Sequence, residues 1–431
     1  IFMFSYASSF NQGLGEWDTS KVMDMSGMFN FASAFNQPIG SWDTSSVLSM
    51  SGMFNYASDF NQDLSTWNTG FVSYMDGMFD TAISFDQDLS GWNVMSLISA
   101  NGMFENTALS PANYDALLIG WDAQDLNYGV TFSGGNSTYC SSVDARNHMS
   151  DPDGDGWSIT DGGEDCSFII KVNTSKDGIS SDLEFIISTT GSGYDYNVDC
   201  DSDGVYEHVN QTGDVTCEYL TSGVKTIRIN HKSDGTGFPR IYFNNFGDSE
   251  KLLSIEQWGT GQWTSMASAF AGCSNLVLNT YDSPDLSNVT DMRYMFSNAK
   301  MLNQDIGNWE TINITDMSFL FNGAISFNQN IGGWDTDNVT NMAGMFAYAT
   351  AFNQPIGNWD TSSVTDMDSM FSSASVFNQD ISKWNTSNVT NMAGMFYEAS
   401  NFNQIIGGWK TNRVLFMNSM FAYATSFNQP I

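Results

Sequence analysis

A period of 25 residues constrains this chain more than any other feature. Phe-Asn-Gln begins at Phe10, Phe35 and Phe60, and again at Phe327, Phe352, Phe377, Phe402 and Phe427. Phe85-Asp86-Gln87 and Leu302-Asn303-Gln304 are one-residue variants of it. A tryptophan keeps the same step, at Trp17, Trp42, Trp67 and Trp92 and then at Trp309, Trp334, Trp359, Trp384 and Trp409. A fixed period of this size marks stacked units, each unable to bury its apolar face alone. In one unit, Asp18-Thr19-Ser20 supplies helix-capping residues. Val22, Met25, Met28, Phe29 and Ala32 follow at spacings of three and four, which predicts a short amphipathic helix. Phe35-Asn36-Gln37-Pro38-Ile39 before Gly40 predicts a brief strand and a turn. The expected fold class is an α/β solenoid of helix-plus-strand repeats in two arrays, separated by an all-β sandwich. The recurring Asn after each Phe predicts an amide ladder between neighbouring turns, and the Met stripe predicts core filling.

The period organises the chain. Residues 1–103 form the first array. Residues 104–139 close it, with Pro111–Trp121 expected as a capping helix and Val130-Thr131-Phe132 as a last strand. Residues 140–167 form an acidic linker whose Asp151-Pro152-Asp153-Gly154-Asp155-Gly156 places carboxylates at positions 1, 3 and 5 and glycine at position 6. That is the opening of a calcium loop, since hard cations need several oxygens and the glycine permits the sharp turn. The expected ligands are Asp151, Asp153, Asp155, the Trp157 carbonyl and Asp161, around a structural Ca2+. Gly162 stands where an EF-hand carries Glu, and the competing reading is an Asp/Gly-rich linker. Residues 168–249 carry strand-like runs between Gly- and Asp-rich turns at sandwich spacing. Within them Asp199, Asp201 and Asp203 are a weaker candidate for a second cation, set against a plain hairpin turn. Residues 250–431 form the second array.

Composition narrows the partners. A net charge of −34 with 14 Lys+Arg leaves no basic surface for phosphates, which argues against nucleic acid. No apolar run is long enough to span a membrane. Both ends fall inside repeats, so a segment of a longer polypeptide, or ends covered by other chains, is expected. Cys140 and Cys166 bracket the acidic loop, Cys200 and Cys217 the Asp-rich turn, and local pairing of each couple is expected in an oxidising compartment. Four cysteines allow three pairings. Cys273 is left over, at a slot that other repeats fill with Ala, and is expected to be buried. His148, His208 and His231 lie in no catalytic or metal-ligand spacing and are expected on the solvated surface. No nucleophile, base and orienting group assemble in sequence, so no enzyme is expected. One row is aromatic in several units, Tyr6, Phe31, Tyr56, Tyr348 and Tyr423. It is either a partner surface or a set of rings lying over neighbouring rungs.

The unit read from Met345, MFxxAxxFNQxIGxWDTSxVTxM, resembles the BspA-like leucine-rich-repeat surface proteins of bacteria. Ala269–Leu276, with its AFxxCxxL pattern, is similar to the treponemal leucine-rich-repeat variant. The Asp151–Asp161 loop resembles thrombospondin type-3 and dockerin loops. Gly191-Ser192-Gly193-Tyr194 and Thr221–Ile229 resemble a PKD-like β-sandwich, although Asp199-Cys200-Asp201-Ser202-Asp203-Gly204 replaces that family's Trp-Gly-Asp-Gly. The resemblance implies an extracellular or cell-surface, non-enzymatic structural and adhesive protein. Its partners would be host or matrix proteins, glycans or other copies of itself. The alternatives are a subunit of an end-to-end filament and the targeting arm of an extracellular enzyme.

Overall fold

The computed structural model describes residues 1–231, 236–280 and 282–431. It divides into two compact units, Ile1–Asp165 and Cys166–Ile431.

The repeats are not helices, and this overturns the expected α/β solenoid of helix-plus-strand units. In the rung that starts at Asp18, successive three-residue turns run along the chain. Val22 donates its N–H to the Thr19 carbonyl at 2.9 Å, Met28 to Met25 at 3.2 Å, Ala32 to Phe29 at 2.9 Å and Phe35 to Ala32 at 3.0 Å. The residues between point their amides elsewhere: Met25, Gly27, Phe29 and Phe31 donate to Ser49, Ser51, Met53 and Asn55 of the next rung, at 2.8–3.0 Å. An α-helix would spend those same N–H groups on carbonyls four residues back. Gly27 and Phe31 sit at φ 61° and 58°, in the left-handed region that no α-helix enters. The expected strand at Phe35–Ile39 is also absent. Rungs meet instead through single parallel bridges, Asp24↔Ser49↔Tyr74↔Ser99 in the first unit and Asp291↔Asp316↔Asn341↔Asp366↔Asn391↔Phe416 in the second. The expected first helix of the second array, Trp263–Cys273, is built from the same turns.

Identical positions stack on one another. Phe29, Phe54 and Phe79 are fully buried, with ring centroids 5.6 and 5.5 Å apart. Each of these aromatic burials is worth roughly 1.5–3 kcal/mol. Within the arrays the repeating Trp of an interior rung sends its indole N–H back to a carbonyl of the preceding rung, as Trp67 does to Ile39 at 3.1 Å and Trp359 to Ile331 at 3.1 Å. The Asn row is a ladder. Asn36 Oδ1 accepts the Asn61 N–H at 3.0 Å and the Gln62 amide at 2.8 Å, and Asn353 Oδ1 accepts from Asn378 and Gln379 at 2.9 and 3.0 Å.

The first array closes where its motif changes. Asp86 replaces the ladder Asn, and its carboxylate accepts the Ser110 N–H at 2.8 Å, the Ser110 hydroxyl at 2.9 Å and the Asn113 amide at 2.8 Å. A negative charge is thereby seated at the N-terminus of helix α1, Pro111–Asp122. Strands β1 (Ser99–Ala100), β2 (Thr131–Ser133) and β3 (Ser158–Thr160) pair in parallel in that order, carrying the column of bridges onward. Helix α2, Val143–Ser150, lies within the acidic segment. Among the described residues α1 and α2 are the α-helices.

The second unit begins with β strands: β4 (Phe168–Asn173), β5 (Glu184–Ile187), β6 (Tyr196–Asp199), β7 (His208–Gln211), β8 (Val215–Glu218) and β9 (Val224–Asn230). Then come β10 (Leu252–Gln257) and β11 (Val277–Leu278), which belong to the first rungs of the second array. One six-stranded sheet runs β11-β10-β4-β9-β6-β7, and β5 pairs with β8 in a separate two-stranded sheet. Antiparallel pairing of β10 with β4 joins the array to the all-β region, while β10 and β11 pair in parallel as rungs do. A single buried cluster continues from Phe168 and Ile170 through Trp258 and Trp263 to the Phe and Met ladder.

Candidate functional site

The acids expected to bind one cation diverge in the structure. Asp151 Oδ1 accepts the Asp153 N–H at 2.8 Å, closing the turn that follows α2. Asp155 faces His148, whose Nδ1 lies 3.8 Å from Asp155 and 2.7 Å from Asp122. Asp161 is drawn to Arg146 Nε at 3.2 Å and accepts from the Tyr114 hydroxyl at 3.0 Å. Trp157 is buried and donates its N–H to Met149. Asp151, Asp153, Asp155, Trp157 and Asp161 therefore do not converge as the loop spacing implies. The cause is α2, which delivers Arg146 and His148 to carboxylates that the motif assigns to metal. Among the described residues, Asp122, His148 and Asp155 are the group that does come together there. The hydrogen bond to Asp122, and then its charge, hold the His148 pKa above its ordinary value.

Asp199, Asp201 and Asp203 are brought together, with Glu207 as a fourth member that the sequence reading missed. They lie on the connection between β6 and β7, an antiparallel pair, so the turn reading describes the same residues. Asp199 is buried and accepts from the amides of Ser202, Asp203 and Gly204 at 2.6, 3.2 and 2.9 Å. Glu207 accepts the Cys200 N–H at 2.7 Å. Desolvation, then the charges of Asp203, Glu207 and Asp199, raise the Asp201 pKa.

Cys200 and Cys217 form a disulfide, and Cys140 and Cys166 are also disulfide-bonded. Cys273 is a buried free thiol. His231 corrects the expectation of a solvated ring. It is buried, 6.2 Å from the Phe238 ring and 6.4 Å from the Trp263 ring, and neither ring nitrogen has a hydrogen-bond partner. Burial disfavours its charged form and lowers its pKa to about 4.

The aromatic row is a continuous stack in the first unit. Tyr6 and Phe31 lie 4.6 Å apart and Phe31 and Tyr56 4.3 Å apart, within 6° of parallel. All three sit at left-handed φ, as do Tyr348 and Tyr423, which are exposed in the second unit. Tyr423 meets Tyr397 edge to face at 5.5 Å. A second surface column escaped the sequence reading. Met23, Leu48 and Ile98 are exposed at one rung position of the first array, with Ser73 between them, where the second array places Thr290, Thr315, Thr340, Thr365 and Thr390 and then the exposed Leu415. The recurrent Val-Thr pair was the signal for it.

No helix among the described residues is long and apolar enough to cross a membrane. No curated protein and no solved structure matches this chain. A family model described as a Mycoplasma protein of unknown function, DUF285, matches residues 1–116, 264–362 and 352–431. Those segments hold both repeat arrays and make up more than half of the sequence, and the chain belongs to that family.

Proposed function

We propose that this chain is a non-enzymatic structural and adhesive protein of the extracellular space or cell surface. Its repeats present one surface motif many times over to matrix or host proteins. The observation that carries this reading is the surface stack of exposed Tyr6 and Tyr56 on half-buried Phe31. Because the ring faces lie on one another, the stack offers a partner its edges and hydroxyls, a strip suited to an extended protein surface. Repetition multiplies weak contacts by effective concentration. Two further features support the setting: disulfides persist in oxidising compartments, and the strong negative charge disfavours nucleic-acid partners.

The test is adhesion of the full chain to immobilised extracellular-matrix and host-surface proteins. The triple variant Y6S/F31S/Y56S serves as control. The reading expects saturable binding by the native chain and a loss of about tenfold or more in the variant, as central aromatic contacts usually give. Equal binding by both, or no binding to any partner, overturns it.

A further inference from the structure

The geometry points to a binding cleft in the second unit for an uncharged sugar unit of an oligosaccharide, with Phe246 as its stacking platform. This site is separate from the aromatic stack and goes beyond the adhesive reading. A cleft of about 410 Å3 opens between the loop at 177–179, the turn at 245–250 and the first rungs of the second array. That volume falls within the range of small-molecule sites.

Three features define what fits. Phe246 is 69% exposed at the cleft and, among the described residues, makes no contact with another aromatic ring. Tyr6 and Tyr56 are stacked on Phe31, whereas a ring free of such stacking suits the C–H surface of a pyranose. The lining is rich in groups that grip hydroxyls. Asn245 accepts from the Asn298 amide through its Oδ1 at 2.9 Å, which leaves its own amide to donate. Glu250 is oriented by the Ser274 hydroxyl and by the Asn275 amide through one oxygen, leaving the other to accept. Asp177 and Lys300 complete the polar rim. Two carboxylates against one ammonium disfavour an anion. Among the described residues, Asp177 and Glu250 belong to no converging group that could hold a metal ion.

The cleft is also rigidly built. Asp248 and Lys251 are completely buried 4.0 Å apart behind the 177–184 loop. Asp248 accepts from the amides of Ile179, Ser180 and Ile186 at 3.0, 3.1 and 2.8 Å. Lys251 donates to the carbonyls of Ser180, Ser181 and Glu184 at 3.1, 2.7 and 3.0 Å. A buried, fully bonded charge pair fixes one geometry at a high desolvation cost, and here the geometry it fixes is one wall of the cleft. On the opposite wall Gly272 holds φ +84°, and a Cβ there would come within 2.6 Å of the Asn245 backbone. Asn245 and Asn298 also adopt left-handed φ, at 56° and 60°.

Calorimetric titration of the full chain with cellopentaose, maltopentaose and chitotriose tests the site, with inorganic phosphate and calcium chloride as competing probes. One or more of the neutral sugars is expected to bind. Phe246→Ala should weaken that binding about tenfold or more, Phe246→Tyr should preserve it, and Asp177→Asn should weaken it several-fold. Phe246 is exposed, so its variants should keep the native circular dichroism spectrum, and that check accompanies each titration. The inference is overturned if no sugar binds at millimolar concentration, or if binding survives Phe246→Ala unchanged. It is equally overturned if phosphate or calcium binds in a Phe246-dependent way instead. Any of these failures leaves the Tyr6–Phe31–Tyr56 reading untouched, because that reading is scored on a different variant.

Discussion

The two repeat arrays build their separate cores on the same pattern and differ in what they show to solvent. Both stack buried Phe rings, with Phe29–Phe54 at 5.6 Å in the first and Phe346–Phe371 at 5.6 Å in the second. Both run the same amide ladder. At one rung position, however, the first array carries Met23, Leu48, Ser73 and Ile98, and the second carries Thr290, Thr315, Thr340, Thr365 and Thr390 before ending on Leu415, with each threonine after the first donating its hydroxyl to the threonine carbonyl one rung earlier at 3.1–3.2 Å. The backbone column is the same, with Leu48 donating to Met23 at 2.9 Å and Thr340 to Thr315 at 2.9 Å. Interior stacking thus sets the rung, and the outward columns vary without disturbing it. The arrays also differ at their closures. The first ends on a helix seated on Asp86, and the second grows from a strand of the six-stranded sheet.

The comparison can be broken most forcefully in the core. Phe54→Ala and Phe371→Ala each remove a fully buried ring from an interior rung and should each cost about 3–5 kcal/mol in chemical denaturation. Strongly unequal costs would show that the two cores are not equivalent. Next come the histidines beside the closures. The pKa of His231 falls to about 4 in the folded chain, so the unfolded chain takes up the proton first as pH drops below about 6.5. Stability should decline between about pH 6.5 and 4, by about 3 kcal/mol in total, and His231→Phe should flatten that slope. His148 acts with the opposite sign. Its raised pKa adds stability below its ordinary value, and that is lost as pH rises through the folded value. A pH titration of the two single variants separates these contributions. The smallest effect belongs to the surface column. Exchanging Met23, Leu48 and Ile98 for Thr should change stability by no more than about 0.5 kcal/mol per site. A larger loss would mean that those exposed side chains help to hold the rungs.

Much of this was legible in the sequence. The period, the stacked core positions and the Asn ladder follow from residue type and spacing. The local backbone did not. Apolar residues at Val22, Met25, Phe29 and Ala32 have helical spacing, but three-residue turns produce nearly the same spacing. The choice between them depended on amides that find partners in the next rung. Gly27, Gly52 and Gly77, each followed four positions later by a second left-handed residue (Phe31, Tyr56 and Thr81), were the available sign of repeated left-handed positions. The surroundings of the acidic loop were not legible for a related reason. Its carboxylate spacing matches a cation site, but the fold places Arg146 against Asp161 and His148 against Asp155. His231 was unreadable because its burial depends on Phe238 and Trp263 packing around it. Asp86 was readable in principle, as the one position where the ladder amide becomes a carboxylate just before the pattern ends.

The central claim is that 25-residue rungs are built from turns and bridges and, among the described residues, contain no α-helices. Far-UV circular dichroism of the full chain tests it most directly. The account predicts a helical signal no larger than α1 and α2, of 12 and 8 residues, provide. A strong helical spectrum, as one helix in every repeat would give, would contradict it.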